Sequence, residues 1–322
     1  MIKRVLVVGG AGYIGGGTTE ELINRKIPFS VYDNLTYENH YLKPVKFIYG
    51  DIRNHEKLLE ILSDYSHVIW LAALVGDPAC QLNPQLTKEI NQDSIEWLSK
   101  NYNGRILFTS TCSVYGASDT PVNESSKTNP LSSYAQTKLQ SENYLKSKNS
   151  LIFRLGTAYG ISDTYARIRM DLAVNYMTMN AIKKGALTVF GGSQWRPFVH
   201  VNDIAKFLVD NLDRNINGIY NIATENTTIV DLAKRIQKET GCKIETTEEK
   251  FQDNRNYNAD QSKALKDKVI PNTTNRDLLY GIKQVKELVN ENRVLNLENE
   301  FYSNVKRMTA ILEDYEKSKI NK

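Results

Sequence analysis

The chain has 322 residues, 41% of them hydrophobic and 24% charged, with a formal net charge of +4. That is enough for one large or two moderate domains around an ample core, and it excludes a disordered or fibrous chain. No basic block or arginine-rich stripe suggests nucleic acid as a partner, and the short apolar opening Met1 to Val8 is neither a signal peptide nor a membrane span, so a cytoplasmic protein without a membrane partner is expected.

In chain order, residues 3–8 read as a buried strand, followed by the turn Gly9-Gly10-Ala11-Gly12-Tyr13-Ile14-Gly15, a helix from about Gly15 to Arg25 and a second strand from Phe29 to Tyr32 that ends at Asp33. Apolar runs at 45–49, 68–73, 105–110 and 151–155 then alternate with helical patterns at 55–63, 84–100 and 132–147. This alternation predicts an α/β fold with a doubly wound parallel sheet. After Gly156 the pattern changes: a helix over 168–184, a short run at 187–190, a return to strand and helix at 198–222, and charged helices over 283–319 with apolar positions Val285, Leu288, Val289, Leu295 and Leu297. The expected organisation is a Rossmann-type domain of residues 1–157 plus 198–223, and a smaller interleaved substrate-binding lobe of 158–197 plus 224–322.

The glycine turn is where chemistry first shows. Backbone N–H groups at a helix N-terminus attract phosphate, and Gly9, Gly12 and Gly15 let the chain turn sharply and approach closely. A strand precedes the turn, a helix follows, and Asp33 closes the next strand. Asp33 would accept hydrogen bonds from ribose hydroxyls, and the neighbouring Asn34 and Leu35 offer no arginine for a 2′-phosphate, so NAD(H) is favoured over NADP(H). A strand-end turn acid is the plain alternative. Gly16 and Gly17 cost helix stability and suggest close packing under the sheet.

Downstream lies Tyr134-Ala-Gln-Thr-Lys138. Four residues apart on a helix, the phenol and ammonium share a face, so the lysine is expected to lower the tyrosine pKa toward neutrality and make it an acid/base. In isolation such a pair usually marks a solvated helix face. Cys80, Cys112 and Cys242 are too few and dispersed for a disulfide framework or a zinc site, so free thiols and no metal are expected.

Taken together, Gly9/Gly12/Gly15, Asp51-Ile52, Leu71-Ala72-Ala73, Thr111, Tyr134/Lys138 and Arg196-Pro197-Phe198-Val199-His200-Val201 resemble the extended short-chain dehydrogenase/reductases that act on nucleotide sugars. The resemblance runs to about residue 285. It implies a cofactor site of Gly9, Gly12, Tyr13, Ile14, Gly15, Asp33, Asn34, Asp51, Ile52 and Leu71 to Ala73, completed by Tyr134 and Lys138, with Asn91 bracing the central helix. It also implies that Thr111 hydrogen-bonds the reacting sugar oxygen, Tyr134 exchanges the proton and Lys138 binds the nicotinamide ribose. Where family dehydratases carry an acid after this threonine, the chain has Cys112 and Ser113, which disfavours elimination; a buried inert thiol is preferred for Cys112.

On the substrate side the resemblance offers Arg196 and Arg255 for a diphosphate, Arg169 and Asn175 for the nucleotide or sugar, and Thr157 in place of an asparagine that touches substrate in many relatives. Asp77, in a loop expected to border the active site, could touch the sugar or cap a turn, the turn being preferred; His200 reads as a core residue, and His40, His55 and His67 as surface residues. The activity so implied is NAD(H)-dependent oxidoreduction at C4 of a nucleoside-diphosphate sugar, with reduction of a dTDP-linked 4-keto-6-deoxyhexose in surface-polysaccharide or O-antigen synthesis placed first. A 4-epimerase is the alternative, and a 4,6-dehydratase or a non-catalytic NAD-binding protein ranks below it. Relatives commonly dimerise through two helices, so a homodimer using 84–100 and 132–147 is expected.

Overall fold

The computed structural model describes residues 4–247, 255–294 and 296–320; Lys3 of the expected first strand, Asp253 and Asn254 before Arg255, and Leu295 lie outside them. The first half alternates strand and helix: β1 (Val5–Val8), α1 (Tyr13–Asn24), β2 (Phe29–Asp33), β3 (Phe47–Tyr49), α2 (His55–Leu62), β4 (His67–Trp70), α3 (Asp77–Leu82), α4 (Pro84–Lys88), α5 (Ser94–Asn101), β5 (Arg105–Thr111), α6 (Ser133–Leu145) and β6 (Ser150–Leu155). A π-helical turn over Glu89–Asp93 joins α4 to α5, so the helix expected over 84–100 is interrupted. β7 (Thr157–Tyr159), α7 (Ala173–Lys184), β8 (Ala186–Phe190), β9 (Trp195–His200), α8 (Val201–Asp210) and β10 (Gly218–Ile222) follow. The chain continues through β11 (Glu225–Thr228), α9 (Ile229–Thr240), β12 (Lys243–Thr247), α10 (Ser262–Lys266), α11 (Leu278–Asn290) and α12 (Asn304–Ile320).

Seven strands form the main sheet in the order β10-β6-β5-β4-β1-β2-β3, every pairing parallel. Apolar runs suit it because helices cover both faces. The alternation along β1 shows this: Val5 and Val7 pack with Leu22 and with Ile204, Phe207 and Leu208 of α8, whereas Leu6 and Val8 pack with Leu58, Leu62, Ile95 and Leu98. Each such leucine, fully removed from water, stabilises the fold by roughly 1.5–3 kcal/mol. Chain order reverses between β1 and β4, which opens a crevice at their carboxyl ends, the usual place for a ligand in such sheets.

The remaining strands form two small sheets, β11-β9-β7 and β12-β8. Strands β7, β9 and β11 were legible only as fragments of other patterns. Helix α7 begins at Ala173 and not at the expected residue 168, because Leu172 is extended (φ −93°, ψ 142°). Helix α12 returns to the first half, where Val305, Met308 and Ile311 join a cluster with Leu74, Cys80 and Tyr134. No described helix is long and apolar enough to cross a membrane.

The two extra glycines of α1 serve a contact other than the one expected. A Cβ on Gly16 would stand 2.2 Å from the Ala166 Cβ, and one on Gly17 would stand 2.7 Å from Asn202 Oδ1, so both make room for the loop around 162–166 and for α8. Lys43 ties the same junction: its buried ammonium donates to Gly16 O (3.0 Å) and Thr19 Oγ1 (2.9 Å) and pairs with Asp163.

Candidate active site

The turn after β1 cannot be built without glycine. Gly9 has φ +83°, and a Cβ there would lie 2.4 Å from Ala72 N; a Cβ on Gly15 would lie 2.4 Å from Gly10 O. Gly12 is the N-cap of α1 and makes no side-chain cap, and no acid sits in the first turn, so this helix end meets the crevice with uncapped N–H groups. Asp33 links the turn to the end of β2: Oδ2 accepts from Ala11 N (3.0 Å) and Oδ1 from Leu35 N (2.8 Å). Burial pushes its carboxyl above the ordinary value, against the opposing backbone N–H groups.

Asn34, Asp51, Ile52, Leu71, Ala72 and Ala73 line the same end of the crevice, and Tyr13, Ile14 and Gly15 line its continuation. No lysine or arginine lines the Asp33 end among the described residues. An uncapped helix N-terminus beside a strand-end acid and an apolar slot fits an adenine dinucleotide without a 2′-phosphate.

At the end of β5, Thr111 caps a short 3-10 turn over Cys112–Tyr115: Oγ1 accepts from Ser113 N (3.1 Å) and donates to Ser113 Oγ (3.1 Å). Ser113 Oγ also lies 3.2 Å from Tyr257 Oη. Cys112 turns the other way, fully buried, with Sγ donating to Arg154 O at 3.2 Å; burial pushes its thiol up, which makes it an inert core residue. Asn91, in the π-helical turn, accepts from Leu74 N (2.8 Å) and donates to Leu74 O (2.9 Å), and so fixes the chain leaving β4.

Tyr134 and Lys138 project from α6 into the crevice wall, but the electrostatic relation expected between them is not what the structure shows. Lys138 Nζ donates to Thr109 O (2.9 Å) and lies 4.7 Å from the centre of the Phe108 ring; burial pushes its pKa down to about 8. The Tyr134 phenol is pushed up, by burial first and then by Cys80 and Asp77, with Arg169 opposing. Within the protein's own charges, desolvation outweighs the lysine.

Thr111, Tyr134 and Lys138 share a cavity of about 620 Å³ with Thr157, Arg169, Arg196 and Arg255. Asn175 is not among its lining: fully buried, its amide accepts from Gly160 N (2.9 Å) and donates to Arg169 O (2.8 Å) and Gly160 O (3.0 Å), so it braces the backbone instead of facing substrate. Arg196 on β9 donates to Trp195 O (2.8 Å) and to Arg255 O. Asp77 is not a turn cap: it accepts from Ser132 Oγ (2.6 Å) and pairs with Arg255 (3.1 Å), both at the cavity rim. His200 is a core residue, as its sequence context suggests. His67 is less exposed than expected, lying half-buried beside Ser66.

Several cavity residues escaped the sequence reading. Tyr37 and Glu38 follow Asp33 closely, and burial pushes the Glu38 carboxyl up to about 7. Arg167 stands two residues before the expected Arg169, while Tyr257 and Asn304 carry no local signal that they reach the site.

Residues 5–223 match the NAD dependent epimerase/dehydratase family. A putative UDP-glucose 4-epimerase of Methanocaldococcus jannaschii is 31% identical over 265 residues, covering 76% of this chain and 85% of that protein. UDP-glucuronic acid decarboxylase 1 of Danio rerio is 26% identical over 255 residues, covering 73% of this chain and 60% of that protein. Among solved structures, the Thermus thermophilus UDP-glucose 4-epimerase complex with NAD superposes with a TM-score of 0.71 at 23% identity, covering 88% of this chain and 99% of that one.

Proposed function

The chain belongs to the NAD dependent epimerase/dehydratase family and is an NAD-dependent enzyme of that kind, and from this premise we propose that it is a UDP-sugar 4-epimerase. The observation that carries the reading is that Thr111, Tyr134 and Lys138 line one cavity together with the glycine turn, Arg196 and Arg255. Its volume of about 620 Å³ is of the size that encloses a small ligand.

In this reading the arginines hold the substrate diphosphate, and Thr157 and Arg169 border the sugar or nucleotide. Thr111 donates a hydrogen bond to the C4 oxygen. Tyr134 takes the C4 hydroxyl proton as the ketone forms and returns it when the alcohol is remade. Lys138 orients the nicotinamide ribose. Bound NAD supplies the hydride acceptor and donor and, when oxidised, a positive charge that favours phenolate at Tyr134. Because NAD would serve as both acceptor and donor, a keto sugar free to turn its other face in the cavity would give the epimer with no net consumption of cofactor.

Elimination is disfavoured because Cys112 is sealed in the core and Ser113 is no acid. UDP is placed ahead of the dTDP-linked sugar expected from the sequence because the relatives above are named for UDP-sugar chemistry. The 4-keto-6-deoxyhexose reductase differs only in releasing oxidised cofactor. Incubation with UDP-hexoses and catalytic NAD tests the point: interconversion without net absorbance change at 340 nm supports the epimerase. Stoichiometric NADH oxidation with a 4-keto sugar would establish the reductase in its place, and CO2 release from UDP-glucuronate a decarboxylase. A homodimer through α4, α5 and α6 belongs to the same reading, and sedimentation velocity at the monomer mass would rule it out.

A further inference from the structure

Arg167 is 7% exposed and lines the cavity, yet its Nη2 has no hydrogen-bond partner among the described residues. The rest of its guanidinium is held firmly: Nε donates to Phe301 O (2.8 Å), Nη1 donates to Asn304 Oδ1 (2.6 Å), and the group stacks 4.6 Å from the centre of the Tyr37 ring. Arg169, two residues on, stands 5.8 Å from the Tyr13 ring, but its charge is matched by Asp171, with Nε to Oδ1 at 3.0 Å. Arg169 thus has a carboxylate in direct contact, whereas Arg167 keeps one guanidinium nitrogen without a hydrogen bond among the described residues. Burial first, and then the neighbouring Arg169, push the Arg167 pKa down to about 10, with Asp171, Tyr37 and Glu38 opposing.

The surroundings say which anion is missing. Tyr37 lines both the Asp33 end of the crevice and the larger cavity, and Tyr13 is the first residue of α1 after the glycine cap. The arginine pair thus lines the same cavity as the uncapped N-terminus of α1, with Arg169 over the Tyr13 ring. The other two cavity arginines are engaged elsewhere: Arg196 lies 5.7 Å from the centre of the Tyr257 ring and Arg255 pairs with Asp77. We infer that Arg167 binds the diphosphate of the dinucleotide from the side opposite the glycine turn, so that residues 300–311 close the cofactor in and hold it between turnovers. This rests on the NAD reading of the glycine crevice. It deepens that reading by making cofactor retention a property of Arg167, Asn304 and α12, since Asn304 joins the arginine to Val75 O at 2.8 Å and Arg307 reaches Thr36 O at 3.1 Å.

The test is calorimetric titration of the full chain with NAD, ADP-ribose, adenosine and UDP, for the native protein and for Arg167→Met and Arg167→Lys. The expected result is a loss of at least tenfold in affinity for NAD and ADP-ribose in Arg167→Met, a smaller loss in Arg167→Lys, and unchanged affinity for adenosine and UDP. Equal losses for adenosine and ADP-ribose would mean a merely structural role and overturn the inference. So would a loss confined to UDP, which would give Arg167 to the substrate. Failure of the native protein to bind NAD at all would instead sink the reading of the crevice.

Discussion

Lys138 stands one helical turn after Tyr134, yet its ammonium donates to the carbonyl oxygen of Thr109 at 2.9 Å. The phenol is left to the influence of its burial and of Cys80 and Asp77, which push it up. In the ligand-free protein Tyr134 should therefore stay protonated well past neutrality. The difference absorbance at 295 nm between native protein and Tyr134→Phe should show no phenolate below about pH 10, and oxidised NAD should bring ionisation to lower pH. A phenolate titrating near pH 7 without NAD would restore the simple lysine-tyrosine coupling. Tyr134→Phe should lower turnover by roughly 10²- to 10⁴-fold while leaving NAD binding intact.

Lys138 itself makes an opposite demand on stability. Its pKa is pushed from 10.5 down to about 8, so between those values the unfolded chain holds more protons than the native one. Stability contributed through this group consequently rises with pH across that window, and below about pH 8 the full cost of burying the ammonium stands. Lys138→Met should be inactive yet more stable at pH 7 by up to about 3 kcal/mol, an advantage that vanishes above about pH 10.5. Urea unfolding at both pH values reads this directly. A variant less stable at pH 7 would mean that the bond to Thr109 O outweighs the cost of the charge.

The sheet was legible because each of its strands is a continuous apolar run or the strand end next to a glycine turn, and both signals are local. The loop 167–172 was not. Residues 168–172 were expected to open a helix, but Arg167 bonds Phe301 O and Asn304, and Asp171 Oδ2 accepts from Asn304 N at 2.7 Å. Partners more than 130 residues away along the chain hold the segment out of helix and against the cavity. Asn175, expected to face the nucleotide or sugar, differs for the same reason, since its amide is spent on Gly160 and on the carbonyl of Arg169. That Thr111, Tyr134 and Lys138 line one cavity was expected from the resemblance and, for the last two, from their spacing; their electrostatics could not be, because burial is a tertiary property.

Behind the cavity, Glu142 and Arg154 form a buried ion pair at 2.7 Å, with side chains 0% and 4% exposed. Ser110 Oγ donates to Glu142 Oε1 (2.5 Å) and Arg154 Nη1 donates to Tyr115 Oη (2.9 Å), so the pair ties α6 to the end of β5 beside Thr111. Removing one partner leaves an uncompensated charge in the core. Arg154→Met should cost roughly 3–5 kcal/mol in urea unfolding, and adding Glu142→Leu should recover a large part of it. Additive losses in the double variant would show that the two charges are not coupled.

His200 offers an acid-side counterpart. Asn202 N donates to its Nδ1 (3.2 Å), which requires that nitrogen to be unprotonated, and its Nε2 lies 2.7 Å from Gln284 Oε1, which requires a proton there. The acceptor role of Nδ1 demands the neutral ring, and burial pushes its pKa from 6.5 down to about 4 against the opposing bond to Gln284. As pH falls through 6.5 the unfolded chain takes up a proton that the native state refuses until about pH 4, so stability drops across that interval. The group accounts for about 3 kcal/mol of that drop. In the native protein one of the four histidines should fail to titrate above pH 5 by proton NMR. In His200→Asn the fall in unfolding free energy between pH 6.5 and 4 should be correspondingly shallower, and an unchanged slope would remove His200 as its source.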